Sequence, residues 1–218
     1  EYMITYELNG VSHNLANPTT YNINSNTITL QAPTRTGYAF NGWYTDATFG
    51  TACNTIPSGS TGDITLYAAW TPNQNTIQFN ANGGSGVMSN VTMATDTTNT
   101  LPQNTFTRDG YAFAGWSTVA NGGVEYADMA SYKMGTNTSY TLYAIWSANT
   151  NSLVLKANDG TTNERTINIK TGETKQIPAN TFTRAGYTFI GWSSTSNGSV
   201  EYTNQANFTM DSSSHALY

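Results

Sequence analysis

Apolar and polar residues alternate along short stretches of this chain, and the stretches recur. Ile4-Thr5-Tyr6-Glu7-Leu8, Ile77-Gln78-Phe79-Asn80-Ala81 and Leu153-Val154-Leu155-Lys156-Ala157 are apolar at every second position. That period puts one face toward a core and reads as a half-buried strand. Asn9-Gly10, Asn82-Gly83 and Asn158-Asp159-Gly160 follow these strands, and Asn-Gly is a strong tight-turn signal. A second strand is clearest at Thr166-Ile167-Asn168-Ile169-Lys170, with its first-copy counterpart placed at Thr27-Ile28-Thr29-Leu30. Pro33, Pro102 and Pro178 then interrupt any ladder and fix a turn.

The period-two pattern sits inside a longer one. Gly37-Tyr38-Ala39-Phe40-Asn41-Gly42-Trp43 returns as Gly110-Tyr111-Ala112-Phe113-Ala114-Gly115-Trp116, and again as Gly186-Tyr187-Thr188-Phe189-Ile190-Gly191-Trp192. Leu66-Tyr67-Ala68-Ala69-Trp70 matches Leu142-Tyr143-Ala144-Ile145-Trp146, and Leu217-Tyr218 opens a third copy, so the chain reads as a piece that stops inside its last strand. Within the first block Tyr and Phe share a face, while Trp has the opposite parity unless the second glycine makes a bulge, which glycine in a strand often marks. The second block puts Leu, Ala and Trp on one face, the small alanine leaving room for a ring from a neighbouring strand. Copies two and three are the closer pair, sharing Val124-Glu125-Tyr126 and Val200-Glu201-Tyr202, where copy one has Tyr44-Thr45-Asp46 and a loop containing Gly50.

Such recurrence marks tandem modules, with expected boundaries at 1–72, 73–148 and 149–218. Each module offers about four strands, and the stretches 120–134 and 196–210 read as a short helix or an irregular loop. The fold class is therefore α+β or mainly β, with a mostly antiparallel or mixed small sheet, since parallel βαβ units need longer crossovers. The joints, Thr71-Pro72-Asn73-Gln74-Asn75 and Ser147-Ala148-Asn149-Thr150-Asn151, are short. Five residues span at most ~16–18 Å, so modules are expected close together, end to end, as a monomeric rod.

Composition narrows the function classes. Charged residues make up 10% of the 218, against roughly 25% in ordinary soluble domains. The apolar fraction is only 38%, but 14 Tyr, 8 Phe and 5 Trp supply large buried areas. A net charge of −5 with eight basic residues gives no footprint for nucleic acid or an anionic membrane surface. No run approaches the ~18 apolar residues of a membrane span. The first residues do not read as a signal peptide. Cys53 is alone, so no intrachain disulfide forms, which fits a bacterial surface protein better than a small animal extracellular domain.

Candidate chemistry is thin because reactive residues fail to repeat. His13 and His215 occupy non-equivalent positions, and Cys53 has no counterpart. Both kinds read as incidental, the histidines in loops and the thiol partly buried. Glu125 and Glu201 repeat, but copy one lacks them, so a surface or hydrogen-bonding role is favoured over a glycosidase carboxylate pair. Asn158-Asp159-Gly160 lacks the further acids of a calcium loop and reads as a turn. No catalytic residue, metal site or cofactor is indicated. The basic residue kept in all three copies is the arginine two positions before each Gly-Tyr: Arg35, Arg108 and Arg184. Its bland role is packing along an aromatic face or tying to a carbonyl or carboxylate. Its functional alternative is a ligand anchor repeated along the array.

Taken together, the Asn-Gly turn after a strand, Pro, Arg-x-Gly-Tyr-x-Phe-x-Gly-Trp and Leu-Tyr-Ala-x-Trp resemble the Listeria–Bacteroides repeat, a relative of internalin B repeats and mucin-binding-type repeats. The resemblance covers essentially the whole chain. It implies β-grasp-like, ubiquitin-like modules strung in tandem on secreted or wall-attached bacterial proteins. Copy one departs in writing Leu8-Asn9-Gly10-Val11 where copy two has Ala81-Asn82-Gly83-Gly84, which alters its first turn. The implied function is a non-catalytic spacer or stalk at the bacterial cell surface or in a secreted protein, touching host or matrix glycoprotein. The alternative is a carbohydrate-binding array that uses exposed repeated aromatic and arginine positions.

Overall fold

The computed structural model describes residues 1–8, 10–11 and 14–218. The first repeat contributes β1 (Tyr2–Glu7), β2 (Thr20–Tyr21), β3 (Ile28–Thr29), β4 (Tyr38–Tyr44), β5 (Thr55–Ile56) and β6 (Ile64–Pro72). The second contributes β7 (Gln74–Asn80), β8 (Val91–Ala94), β9 (Thr98–Thr100), β10 (Tyr111–Ser117), β11 (Ser131–Lys133) and β12 (Ser139–Ala148). The third contributes β13 (Thr150–Lys156), β14 (Glu164–Lys170), β15 (Thr174–Gln176), β16 (Asn207–Thr209) and β17 (His215–Leu217). All are strands, so the protein is mainly β. Among the described residues no helix is formed, and the stretches between the two sequence blocks hold turns and the short strands β11 and β16.

By backbone contacts the chain forms two compact units, and the division runs through the second repeat. One unit is Glu1–Gln78 with Asn90–Thr100 and Ser131–Tyr140; the other is Phe79–Ser89, Leu101–Ala130 and Thr141–Tyr218. In the first unit, β2-β1-β6-β4 form a mixed sheet. β1 runs antiparallel to β2 and parallel to β6, with Ile4 opposite Ile64 and Glu7 opposite Tyr67, and β6 is antiparallel to β4. β3 and β5 make a separate two-stranded ribbon that sets Ile28 against Ile56. Ile4, Tyr21, Leu30, Trp43, Ile56, Leu66 and Ala68 close between them as one buried cluster. The same unit contains the antiparallel pairs β7–β8 and β9–β11.

The second unit holds the antiparallel pair of β10 with β12, and the third repeat's sheet β14-β13-β17. There β13 is parallel to β17, Leu153 facing His215 and Leu155 facing Leu217, and β15–β16 form the ribbon. Leu153, Leu155, Ile169, Ile177, Trp192, Phe208, Met210 and Leu217 are its core.

One strand differs from expectation. Residues 27–30 do not correspond to Thr166–Lys170. In the first repeat the place beside the opening strand is taken by Thr20–Tyr21, whereas Ile28–Thr29 lies in the ribbon, where β15 lies in the third. Alternation identifies a strand but not its neighbour. Here Tyr21 fills the core position, its ring 5.5 Å from that of Tyr2. The buried Asn17 then ties the intervening segment back, donating to Gln31 O (2.8 Å) and accepting from Gln31 N–H (2.6 Å).

The bulge is present. The register shifts between Phe40 and Gly42 and between Phe113 and Gly115, with φ of +125° at Gly42 and +149° at Gly115. One extra residue reverses side-chain parity, so Phe and Trp face the same way. Their rings meet edge-on at 5.5 Å in Phe40–Trp43 and 4.9 Å in both Phe113–Trp116 and Phe189–Trp192. Trp43 and Trp116 are fully buried, each directly opposite an alanine, Ala68 and Ala144. The small side chain in the second block thus makes room for the indole in the first.

Candidate functional site: the arginine–tyrosine turns

Each repeat brings its arginine and tyrosine together through one tight turn. The N–H groups of Tyr38, Tyr111 and Tyr187 donate to the carbonyls of Arg35, Arg108 and Arg184 at 3.1, 3.0 and 3.1 Å. The third turn residue must take a positive φ, and glycine supplies it at +80°, +75° and +77° for Gly37, Gly110 and Gly186. With arginine first and tyrosine fourth, the guanidinium carbon lies 3.7, 4.1 and 4.1 Å from the ring centroid in the three copies. This is cation–π stacking, the packing role expected of these arginines.

Carbonyl contact adds to it in the third repeat, where Arg184 Nη1 donates to Asn158 O at 3.0 Å. In the second, the Arg108 guanidinium crosses over Gly83, where an added Cβ would lie 3.5 Å from Cζ. Asn82 and Asn158 sit at φ +48° and +51°, conformations that asparagine tolerates. Their side chains hold the turn down: Asn82 Nδ2 donates to Ala120 O (2.6 Å) and Ala144 O (2.9 Å), and Asn158 Nδ2 to Ser196 O (2.8 Å). Trp146 Nε1 donates to Ala81 O at 2.9 Å. Asn82, Arg108, Asn121 and Trp146 thereby border an open cleft of about 470 Å³. A groove of about 530 Å³ in the third repeat also borders Asn158 and Arg184, but its other walls include Phe182, Tyr187, Phe189 and Trp192. It lies beside residues 187–190, which form no strand, while their counterparts pair with β6 and β12. The counterpart in copy one includes Asn9, outside the described residues.

The acids are structural ties. Glu125 accepts from Ser117 Oγ (2.9 Å), Thr118 N–H (3.2 Å) and Thr118 Oγ1 (2.9 Å), and Glu201 accepts from the matching Ser193, Ser194 N–H and Ser194 Oγ. These hydroxyl donors, Ser117 first for Glu125 and Ser194 first for Glu201, lower both carboxyls below the usual range. Copy one lacks that glutamate, yet its loop has an equivalent. Asp46 accepts from the Thr48 hydroxyl and from the N–H groups of Thr48, Gly50 and Thr51 at 3.1, 3.0 and 2.7 Å. The Thr48 hydroxyl foremost brings its pKa down to about 2. A general acid needs a raised pKa, and these three are shifted the other way. Asp46 escaped sequence comparison because it stands at a different distance from the tryptophan; Asp-x-Thr-x-Gly-Thr is the local signal that marks it.

The remaining candidates are also framework. Cys53 packs against the first core, and burial pushes its thiol up, away from the reactive thiolate. His215 is in β17 rather than a loop, its Nε2 2.8 Å from Asp211 Oδ1 and its ring 5.5 Å from that of Phe208. His13 lies outside the described residues. Asp159 accepts from Thr161 N–H at 2.9 Å and Thr161 Oγ1 at 2.6 Å, as a turn aspartate does.

The sequence profile of the Listeria-Bacteroides repeat domain matches residues 2–69, 76–145 and 154–218. The chain belongs to this family. It is a tandem array of three Listeria–Bacteroides repeats. Among curated proteins it is 37% identical over 143 residues to Internalin H of Listeria monocytogenes, covering 63% of this chain and 24% of that protein. It is 30% identical over 171 residues to a putative Gly-rich membrane protein of Evansella cellulosilytica, covering 72% and 19% of the two. A putative membrane protein of the same organism is 32% identical over 154 residues, 68% of this chain and 23% of the relative. The chain thus spans about a fifth to a quarter of the length of these relatives.

Proposed function

We propose that this repeat array is a non-catalytic part of a bacterial cell-surface or secreted protein, acting as a spacer or stalk that carries other domains outward. The observation that carries it is which residues recur: Phe and Trp of the bulged strand, alanine opposite the indole, and an acid that closes the following loop. Each is used to build the module. The relatives, an internalin and two proteins described as membrane proteins, support a surface setting. The sheet supports a β-grasp-like module with boundaries at 72 and 148, because opening and closing strands run parallel at its centre with antiparallel partners outside. Antibody against the array should label intact cells that make the full-length protein, and external protease should remove the signal. Labelling only after lysis would overturn the surface reading.

A second reading is favoured by the cleft beside Arg108: a contact for a glycan or host glycoprotein, with Arg35 and Arg184 as the equivalent arginines of the other copies. Stacking rings beside amide groups suit sugar recognition, and the reading needs saturable glycan-array binding that falls when Arg35, Arg108 and Arg184 are replaced by Ala. A blank array removes it.

A further inference from the structure

We propose that the Gly-Tyr pair opening the long motif is the docking surface between successive repeats, and that its partner is the asparagine–threonine face of the repeat that follows. The same contacts occur at both joints. Between repeats one and two, Asn73 N–H donates to Gly37 O at 2.9 Å, and Thr95 N–H donates back to Asn73 O at 2.9 Å. Between two and three, Asn149 N–H donates to Gly110 O at 2.9 Å, and Thr171 N–H to Asn149 O at 2.9 Å. Each chain of bonds is locked by a second asparagine. Asn75 Nδ2 donates to Thr95 Oγ1 (2.9 Å) and Gly135 O (2.9 Å), and Asn151 Nδ2 to Thr171 Oγ1 (3.0 Å) and Asp211 O (3.1 Å).

Glycine is required here for more than its turn. A Cβ on Gly37 would lie 2.8 Å from the methyls of both Thr95 and Thr136, and one on Gly110 would lie 2.6 Å from the Thr171 methyl and 2.9 Å from Ser212 Cβ. The next repeat therefore occupies the space a side chain would need. The tyrosine completes the contact at the first joint, its hydroxyl donating to Asp96 Oδ2 at 2.8 Å, with Lys133 Nζ 3.1 Å from the other carboxylate oxygen. Gly172 replaces Asp96 at the second joint, and a Cβ there would come 3.3 Å from the Tyr111 hydroxyl.

The face that receives a preceding repeat is specific to repeats two and three. Asn75 opposite Met93 and Asn151 opposite Ile169 hold the ladder position that Tyr2 holds opposite Tyr21. Two residues further on, Thr95 and Thr171 correspond to Ile23, which is 57% exposed. The first repeat thus has the giving half of the joint, and an apolar surface in place of the receiving half. This deepens the spacer reading, since docked joints fix the direction of one repeat on the next. It is independent of where the protein resides.

Gly186 provides the control: it has the same turn and φ, but open space where a Cβ would go. In the full chain, Gly37→Ala is expected to speed amide exchange at Asn73 and Thr95 at least about tenfold, with near-ultraviolet tryptophan dichroism retained. Gly110→Ala should do the same at Asn149 and Thr171, and Gly186→Ala should leave all four amides unchanged. Thr171→Ser, which deletes the methyl that a Gly110 Cβ would strike, should restore part of the protection lost in Gly110→Ala, and this arm decides if either alanine variant loosens the whole repeat. Equal effects of all three alanine substitutions, or no rescue by Thr171→Ser, would overturn the proposal.

Discussion

The segment after the motif tryptophan is built in two ways, and the contrast separates what the module needs from how it is supplied. In the first repeat the chain closes locally: Asp46 gathers three N–H groups within five residues, and Cys53 N–H returns to Trp43 O at 2.7 Å. In the second and third, Glu125 and Glu201 reach back from a returning segment whose tyrosine bridges to the tryptophan, Trp116 N–H to Tyr126 O at 2.7 Å and Trp192 N–H to Tyr202 O at 2.8 Å. Both designs place an ionised carboxylate over a loop rich in N–H and hydroxyl donors, where each charge-assisted bond is stronger than a neutral one. The requirement is a closed loop over the buried indole; the residue that meets it is free to change.

If the indole is the common element, its removal should have the largest effect and ignore the contrast. Trp116→Ala and Trp43→Ala are each expected to cost about 3–5 kcal/mol in urea unfolding of the repeat concerned, as loss of a fully buried ring does. A cost below about 1 kcal/mol at Trp116 would place that ring at the surface. The bulge glycine should expose the contrast directly. Gly42→Ala meets Asn54 Oδ1 at 3.5 Å and Tyr44 Cε2 at 3.7 Å, ordinary contacts, so its cost is backbone strain, about 1–3 kcal/mol. Gly115→Ala would drive Cβ to 2.5 Å from the Val124 methyl and 2.6 Å from Tyr126 O, so it should destabilise its repeat more. Equal costs would mean that the returning segment does not cover the bulge.

Smaller effects follow at the periphery. Arg108→Ala removes the stack on Tyr111, a half-buried pair worth roughly 0.5–1 kcal/mol or somewhat more, and should lower the melting temperature slightly. The acid ties should show only on acidification. Asp46 has a folded pKa of about 2 against an ordinary 3.8, so the stability it adds is fully present above pH 4 and is lost as pH falls toward 2. Asp46→Asn should flatten that part of the melting-temperature profile while leaving the plateau near neutrality shallowly lowered. An unchanged acid limb would show that Asp46 does not hold its loop.

Much of this frame was legible in the sequence. The two blocks, the bulge glycine and the alanine opposite a ring follow from parity and residue size, and both are local properties. What escaped was non-local. Residues 27–30 read as the second strand, but the neighbour of a strand depends on which core position it fills, and Tyr21 filled it. The repeating glutamate looked absent from copy one because Asp46 performs its task from another position. The arginines were legible as packing groups, and their stacking on tyrosine follows from a four-residue turn. The cleft beside Arg108 was not, since it depends on Asn82 holding the distant loop at Ala120.

The central claim is that one inserted residue turns phenylalanine and tryptophan onto the same face in the first two repeats, and that the third keeps the same ring contact. Nuclear Overhauser spectra of protein labelled selectively in Phe and Trp test it most directly. Cross-peaks are predicted within Phe40–Trp43, Phe113–Trp116 and Phe189–Trp192, whose ring centroids lie 5.5, 4.9 and 4.9 Å apart. Tryptophans without contact to these phenylalanines would put the two rings on opposite faces of the strand and contradict the account.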